Sequence, residues 1–377
     1  MIDRILTPVG SLPRLGLGCM RLPTTPKGAI DKEKGFALVA AAMEKGLNYF
    51  DTAYMYHGGL SEPFLKEALA PFDRDSYLLA DKLPIWECRT PEDMDRVLAE
   101  QLQRCGVNFF DYYFIHSLDR NNWKRAVDLD VSAWIKRHLA AGDFRHIGFS
   151  FHDNPQVLQE ILDGFDGWEY VQLQLNYLDW ELQDAKTNYQ MVADRGLTVF
   201  VMEPIRGKFL AELPPSVQPV FEGYAGTPAS FALRFAGSLP AVGVVLSGMN
   251  RMDQLLENID TFTGFAPLSP SERTLADKAC AAFQALHAIP CTGCRYCVEH
   301  CPQGIDIPGC FASYNDNKLM NNGFGQNVRI EYFFGIPDGH RADSCIGCGA
   351  CKSHCPQHID IPAMMPEVHE TLSATQD

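Results

Sequence analysis

Eight of the thirteen cysteines fall into two groups near the end of the chain, and both groups have the same spacing. The first reads Cys291-x2-Cys294-x2-Cys297-x3-Cys301-Pro302, and the second reads Cys345-x2-Cys348-x2-Cys351-x3-Cys355-Pro356. Three thiolates at C-x2-C spacing can surround one corner of an iron–sulfur cubane, while the fourth cysteine points away from it. The pattern therefore predicts two [4Fe-4S] clusters.

The fourth cysteine of such a run ligates the other cluster in two-cluster bacterial ferredoxins. We therefore assign one cluster to Cys291, Cys294, Cys297 and Cys355, and the other to Cys345, Cys348, Cys351 and Cys301. The stretches CPQGIDIP and CPQHIDIP complete an internal repeat with an offset of 54 residues. Structural zinc is the alternative, but zinc sites usually use two C-x2-C pairs held apart by a long spacer. We interpret the other five cysteines as small buried apolar residues.

Earlier in the chain, three motifs place polar side chains at the ends of predicted strands. They read Asp51-Thr52-Ala53-Tyr54-Met55-Tyr56, Ala80-Asp81-Lys82 and Asp111-Tyr112-Tyr113-Phe114-Ile115-His116. Reduction of a carbonyl by hydride leaves an alkoxide that needs a proton. Tyr56 has an ordinary pKa of about 10, so it needs a neighbouring cation to act near neutral pH. Lys82 can supply that charge, Asp51 can hold the ammonium, and His116 can orient the carbonyl oxygen or share the proton transfer.

The elements that position these residues alternate between short apolar runs and amphipathic stretches. The candidate strands are Leu15–Met20, Tyr49–Thr52, Tyr77–Lys82, Phe110–His116, His146–Ser150, Tyr170–Leu175, Thr198–Glu203 and Ala241–Ser247. The helix-like segments between them include Asp31–Lys45, Pro91–Arg104, Pro155–Leu162 and Asp184–Arg195. Eight such units predict an α/β protein with a (β/α)8 TIM barrel. A doubly wound sheet is the alternative, but it would show a Gly-rich loop leading into a helix after its first strand.

Three regions follow from this pattern. We predict a barrel over residues 1–265, a linking helix over 266–290 and a small ferredoxin-like domain over 291–377. The formal charge of −15 argues against a nucleic-acid partner, because phosphate binding needs a basic surface. It would suit docking to a basic electron-carrier protein. No signal peptide or long apolar run is visible, so we predict a cytoplasmic protein without membrane contact.

Residues 4–260 resemble the aldo-keto reductase family. The resemblance runs from LPRLGLGCMRLP through GLNYFDTAYMYHGGLSE, FFDYYFIHS and IGFSFH to SGMNRMDQLLENI. It implies a barrel that binds NAD(P)H across its strand ends and reduces a small aldehyde or ketone. The family's catalytic tetrad falls on Asp51, Tyr56, Lys82 and His116. A branch of prokaryotic members carries a C-terminal iron–sulfur domain, and this chain is similar to that branch.

The resemblance also implies a set of cofactor-binding residues. Ser150 and Gln172 match the positions that hold the nicotinamide carboxamide, and Met202 matches the position that stacks on its ring. The pyrophosphate loop falls on Glu203, Pro204, Ile205, Arg206 and Gly207, and the adenosine end on Ser247, Gly248, Met249, Arg251, Gln254, Glu257 and Asn258. Gly18, Cys19 and Met20 complete the predicted contacts.

Three of these positions depart from the family pattern. Phe151 and His152 follow Ser150 where many members have Asn, and methionine replaces the common aromatic residue at position 202. Gln254 stands where an arginine often binds the adenosine phosphate, although Arg251 can compensate. The choice between NADH and NADPH therefore stays open.

The two regions together allow three hypotheses. The first is a carbonyl reductase whose clusters serve structure, oxygen sensing or partner docking. The second is an electron-transfer protein whose clusters pass electrons between an external carrier and the barrel ligand. The third is a redox or nucleotide sensor without turnover. No flavin-binding pattern is visible to split an electron pair from nicotinamide, so the sequence does not connect the clusters to the hydride step. We favour the first hypothesis because the tetrad is complete.

Overall fold

The structure, a computed structural model, describes residues 1–182, 184–286, 288–319 and 331–373. Eight parallel strands close into a barrel in chain order, and the last strand pairs with the first. After a short hairpin (β1 and β2), the barrel strands are β3 (Leu15–Gly18), β4 (Tyr49–Asp51), β5 (Leu78–Leu83), β6 (Phe110–Leu118), β7 (Phe144–Phe151), β8 (Tyr170–Gln174), β9 (Thr198–Met202) and β10 (Val242–Ser247). All eight candidate strands are present, so the predicted (β/α)8 fold is confirmed.

Ten helices accompany the barrel strands. They are α1 (Lys32–Glu44), α2 (Ser61–Leu69), α3 (Pro91–Cys105), α4 (Arg120–Asp128), α5 (Val131–Ala141), α6 (Pro155–Gly164), α7 (Asp179–Leu182), α8 (Ala185–Asp194), α9 (Pro228–Gly237) and α10 (Met252–Thr261). Helix α3 shows why these segments begin and end where they do. Thr90 and Asp93 form a capping box, and Gly106 ends the helix in the left-handed region with φ of 68°.

The hairpin of β1 (Arg4–Thr7) and β2 (Gly10–Pro13) precedes the barrel and packs against its interior. Val9 and Leu12 are buried among interior side chains such as Tyr49 and Tyr112. The Tyr112 hydroxyl donates a hydrogen bond of 2.8 Å to the Val9 carbonyl oxygen. Because these side chains lie at or near the amino ends of their strands, the hairpin fills that end and leaves the carboxyl ends for the polar motifs.

The chain forms two compact units. The first comprises residues 1–205 and 229–269, and the second comprises 206–228 and 270–377. The sequence placed 206–228 in the predicted barrel domain, whereas in the structure this segment packs within the second unit. There the rings of Phe209 and Phe283 lie 5.0 Å apart.

The second unit contains α11 (Pro270–Gln284), α12 (Ile307–Leu319) and α13 (Ile361–Ser373). Helices α12 and α13 begin at equivalent positions of the 54-residue repeat. Their first residues, Ile307 and Ile361, are both buried. Ile305 and Ile359, two residues before the helices begin, are also buried. The repeat seen in the sequence is therefore also a repeat of structure. Within the described residues, no helix combines the length and apolar character needed to cross a membrane.

Candidate active site and cysteine quartets

Neighbouring strands bring three of the predicted catalytic residues into the barrel. Asp51 ends β4, Lys82 lies near the end of β5, and His116 lies near the end of β6. All three residues are buried, with 3%, 1% and 2% of their surface exposed, respectively. Because β4, β5 and β6 are consecutive neighbours in the barrel, the sequence order of the motifs becomes a spatial cluster.

Lys82 is held by two acceptors. Its Nζ lies 2.5 Å from Asp51 Oδ1 and donates a second hydrogen bond of 2.7 Å to the Thr52 carbonyl oxygen. Gln172 donates to the other Asp51 oxygen over 3.4 Å. Burial raises the pKa of the Asp51 carboxyl, while the Lys82 ammonium and the Gln172 hydrogen bond act in the opposite direction. The site therefore contains a buried ion pair.

Tyr56 and His116 complete the predicted tetrad. Lys82 Nζ lies 4.9 Å from the centre of the Tyr56 ring, and the Tyr56 and His116 rings are 6.1 Å apart at an angle of 82°. Burial lowers the pKa of His116 well below its ordinary value, and the charge of Lys82 adds to this effect. His116 is therefore neutral, and its buried Nδ1 has no hydrogen-bond partner among the described residues. A neutral ring can donate one hydrogen bond to a carbonyl oxygen.

One electrostatic expectation requires correction. The sequence argument had Lys82 bring the Tyr56 hydroxyl towards ionisation near neutral pH. In the structure, burial raises the pKa of Tyr56 well above its ordinary value, and the negative charge of Asp51 raises it further. The reason is that Asp51 compensates the charge of Lys82. Tyr56 therefore keeps its proton and is suited to donate it.

A second carboxyl group beside Lys82 had no role in the sequence argument. Asp81 is completely buried, and its Oδ1 accepts a hydrogen bond of 2.8 Å from the Lys82 backbone amide. Burial raises its pKa well above the ordinary value, and the neighbouring Glu62 raises it further. Glu62, also fully buried, forms an ion pair of 3.0 Å with Arg104. Burial raises the pKa of Glu62 as well, and the Arg104 guanidinium opposes that rise, so Asp81 is the carboxyl that favours the protonated form. The GGLSE and ADK motifs contained both residues, but only the fold reveals that they meet.

The predicted cofactor residues at the strand ends of the first unit fall into two groups. Ser150 and Gln172 are paired on adjacent strands β7 and β8 and are both buried. On the other side, a Cβ atom added to Gly18 would lie 3.5 Å from the Ser247 carbonyl oxygen. Asn258 Nδ2 donates to Ser247 Oγ over 3.2 Å. Gln254 Oε1 instead accepts from the Asn250 amide over 3.1 Å.

The residues predicted to bind pyrophosphate are divided between the units. Glu203 lies in the first unit, has a left-handed backbone with φ of 52° and forms an ion pair of 3.6 Å with Arg21. Arg206 lies in the second unit and is also left-handed, with φ of 49°. It is buried, and its Nη2 lies 3.5 Å from the Pro290 carbonyl oxygen, one residue before Cys291. A left-handed backbone is uncommon outside glycine, so this turn is strained.

The eight motif cysteines form two quartets in the second unit. The electrostatic neighbours of the Cys297 thiol are Cys294, Cys291 and Cys355, and those of Cys351 are Cys301, Cys345 and Cys348. In each quartet the fourth thiol thus comes from the opposite motif. Burial raises the pKa of Cys291 to about 12 and that of Cys351 to about 11. Ligation of a metal would therefore have to displace these protons.

The donor set and the space between the thiols fit a cluster. A cavity of about 320 Å³, part of it open to solvent, is bordered by all four cysteines of the second quartet. Its other lining residues include the apolar Ile305, Ile307 and Met365. Within the part of the chain that the structure describes, no three His, Cys, Asp or Glu side chains are arranged to hold a single metal ion. Four thiols around an apolar cavity suit a cubane better than one zinc ion.

Two family models match successive parts of the chain. The model of the Aldo/keto reductase family matches residues 14–280, and that of the 4Fe-4S dicluster domain matches residues 290–359. A probable aldo-keto reductase 1 from Glycine max is 25% identical over 146 residues, which are 36% of this chain and 41% of that protein. The chain thus spans less than half the length of that curated relative.

Solved structures show the same barrel. An aldo-keto reductase from Bacillus halodurans in its holo form has a TM-score of 0.63 and 21% identity, covering 74% of this chain and 96% of that one. An aldo-keto reductase from Klebsiella pneumoniae in complex with NADPH has a TM-score of 0.61 and 19% identity, covering 74% and 95%. With the family match over most of its barrel, this chain is an oxidoreductase that belongs to the aldo/keto reductase family and carries a C-terminal 4Fe-4S dicluster domain.

Proposed function

We propose that the barrel reduces the carbonyl group of small aldehydes or ketones with NADPH or NADH. The observation that carries this proposal is the buried cluster in which Lys82 contacts Asp51 and lies 4.9 Å from the Tyr56 ring. Tyr56 and the neutral His116 line the same space. This arrangement offers a proton donor and a hydrogen-bond donor at one point, which carbonyl reduction needs.

The chain's own residues have distinct tasks in this reaction. Tyr56 donates its hydroxyl proton to the carbonyl oxygen as negative charge develops there. The Lys82 ammonium stabilises the tyrosinate that remains, and Asp51 fixes the ammonium in place. His116 orients the carbonyl oxygen through a ring N–H. When bound, the nicotinamide supplies the hydride to the carbonyl carbon.

The proposed cofactor site uses the residues identified at the strand ends. Ser150 and Gln172 would hold the carboxamide, with Met202 against the ring, and residues 247–258 would hold the adenosine end. The NADPH complex of the Klebsiella relative supports a nicotinamide cofactor in this position. The backbone of residues 203–207 remains the proposed pyrophosphate loop. Which nucleotide is preferred depends on Arg251, whose guanidinium forms an ion pair of 2.9 Å with Asp253.

Substitution of Tyr56 by phenylalanine tests the reductase function. Loss of the general acid should lower kcat for NADPH-dependent aldehyde reduction by about 10²–10⁴-fold. The matched control is Tyr54→Phe, because the Tyr54 hydroxyl donates to Glu100 over 2.8 Å and has no proposed role in catalysis. If Tyr56→Phe and Tyr54→Phe retained equal activity, the proposal would be wrong. Turnover that disappears in Lys82→Met would also remove the hypothesis of a sensor without activity.

We further propose that the second unit binds two [4Fe-4S] clusters with crossed ligation. Cys291, Cys294, Cys297 and Cys355 would hold one, and Cys345, Cys348, Cys351 and Cys301 the other. The grouping of the thiols into these quartets supports this assignment. A reducing compartment such as the cytoplasm suits thiolates that must remain free of disulfides.

Electron transfer is the second candidate function, and the exposure of Cys348 favours it. The test is anaerobic: NADPH is added to the loaded protein without a carbonyl, and the visible absorbance of the clusters is followed. Bleaching would indicate that electrons from the nucleotide reach the clusters. Absence of bleaching, with dithionite still effective, would indicate either uncoupled units or cluster potentials below that of nicotinamide. Addition of a reduced ferredoxin and NADP+ would then separate these explanations.

A further inference from the structure

The two cluster-binding loops are equivalent in sequence but differ in their exposure to solvent. With the 54-residue offset, Ile346 corresponds to Thr292, the residue after the first cysteine of each motif. Ile346 is 64% exposed, whereas Thr292 is 6% exposed. The loop of the second motif therefore presents an apolar side chain to water where the first buries a polar one.

The same difference extends along both loops. Cys348 is exposed and its counterpart Cys294 is half-buried, while Ala350 is exposed and its counterpart Tyr296 is half-buried. The exception is Gly349, which is half-buried where its counterpart Arg295 is exposed. The loop 345–350 contains no charged residue. It is a small apolar surface that includes a thiol of the second quartet.

An exposed apolar surface can serve as a contact surface for a partner. Among the described residues of the second unit, Ile346 has the greatest exposed fraction of the large apolar side chains. Burial of an exposed apolar side chain is favourable, and Ile346 is next to Cys345, which belongs to the second quartet. Weak redox encounters use small interfaces of this kind.

We propose that residues 345–350 form the docking surface for a soluble one-electron carrier protein with a positively charged rim around its redox group. The inference rests on the proposed second cluster. Charge supports this choice of partner. Residues 270–377 include twelve Asp and Glu residues but only seven Lys and Arg residues, and the whole chain has a formal net charge of −15. Opposite charge steers the encounter, and the uncharged loop allows close approach.

The exchange moves a single electron. The thiols of Cys301, Cys345, Cys348 and Cys351 would hold a cluster that could give up one electron when reduced, and the redox group of the carrier would accept that electron. No bond forms or breaks and no proton moves. The counterparts of Ile346, Cys348 and Ala350 in the first motif are less exposed, so the second quartet would be the one through which electrons enter or leave.

Cytochrome c is a suitable probe, because it is a basic one-electron carrier. The full-length, cluster-loaded protein is reduced with dithionite under argon, freed of excess reductant and mixed with ferricytochrome c in a stopped-flow instrument. The variant is Ile346→Lys, and the matched control is Leu6→Lys on β1, where Leu6 is 84% exposed. Both variants make the same change in side-chain class and net charge, so only the location differs.

We expect Ile346→Lys to lower the second-order rate constant of haem reduction at least tenfold and Leu6→Lys to change it less than twofold. The wild-type rate should fall as ionic strength rises. Ala350→Lys, an exposed position on the same loop, gives a second variant if Ile346→Lys loses iron. Iron, sulfide and the electron paramagnetic resonance signal of the reduced clusters establish that each compared variant is loaded.

Two results would overturn the inference. One is an equal rate constant for the loaded loop variants and Leu6→Lys. The other is a dimer in solution that Ile346→Lys dissociates, which would assign the loop to contact with a second copy of the chain. Neither affects the proposed carbonyl reductase, whose activity is measured separately with NADPH and an aldehyde. Absence of iron and sulfide from the wild-type protein would instead reject the proposed clusters themselves.

Discussion

Lys82 Nζ and Asp51 Oδ1 lie 2.5 Å apart, and the two side chains are only 1% and 5% exposed. A buried ion pair of this kind has a high cost when one partner is removed, because the remaining charge stays in the protein without compensation. Stability and the proposed catalysis therefore depend on the same pair. This relationship allows the two contributions to be separated by experiment.

The Asp51→Asn variant should be both unstable and slow. An uncompensated Lys82 ammonium should lower the free energy of unfolding by about 3–5 kcal/mol. The double variant Asp51→Asn with Lys82→Met removes both charges and should recover most of that stability, but not the activity. Urea titration and NADPH-dependent aldehyde reduction measure the two properties. A double variant as unstable as Asp51→Asn alone would contradict the role of the ion pair.

Tyr56 should remain a proton donor into the alkaline range. Its pKa lies well above the ordinary value because of burial and of the Asp51 charge. Its hydroxyl is therefore protonated throughout the range from about pH 7 to about pH 10. We expect kcat for carbonyl reduction to show no loss from Tyr56 ionisation in that range. A fall of kcat with an apparent pKa below about 9, with the protein still folded, would show that the hydroxyl ionises more easily than burial implies.

Asp81→Asn should stabilise the barrel at neutral pH. The pKa of Asp81 is raised in the folded state, so between the unfolded and folded pKa values the unfolded chain releases a proton that the folded chain keeps. The wild-type protein therefore loses stability as pH rises through that window. Asparagine mimics the protonated acid, so its advantage should be absent near pH ~4 and reach the order of 1 kcal/mol or more at neutral pH.

Thermal unfolding as a function of pH measures this effect. Asp75→Asn is the control, because the Asp75 side chain is 89% exposed. Aldehyde reduction should be retained in Asp81→Asn. A variant that lost stability equally at all pH values would indicate an ionised Asp81 in the folded protein.

Crossed ligation predicts reciprocal effects of the two fourth cysteines. Cys355→Ser should disturb the cluster of the first motif, and Cys301→Ser that of the second. Cys310→Ser is the control, since Cys310 is buried in the same unit but belongs to neither quartet. Iron content and the Mössbauer or paramagnetic resonance signals distinguish the clusters. Loss confined to the substituted cysteine's own motif would mean that ligation is not crossed.

The strands were predictable because each contains a short apolar run, and some of these runs are followed directly by polar residues. In β5, for example, Ala80 is buried before Lys82, and this local pattern is enough to place the catalytic lysine at a strand end. Contacts that join distant segments were not predictable. Asp81 lies on β5 and Glu62 on α2, and neither hydropathy nor spacing indicates that these two side chains influence each other in the fold.

The amino-terminal hairpin was missed for a related reason. Its strands are four residues long and contain exposed polar residues, so no periodicity marks them. What defines the hairpin is the packing of Val9 and Leu12 against residues that occur much later in the chain. The cysteine quartets differ from the hairpin in this respect, because the motif spacing and the repeat were enough to predict which cysteines are grouped.

The position of residues 206–228 has a consequence for how the protein can be divided. The chain leaves the first unit after Ile205, returns to it at Ala229 and leaves it again after Ser269, so the second unit is assembled from two separate pieces. Leu210 and Val217, both fully buried, lie in the shorter piece. A gene fragment that ends at residue 269 would therefore encode a barrel with an orphaned apolar insert, prone to aggregation and to proteolysis.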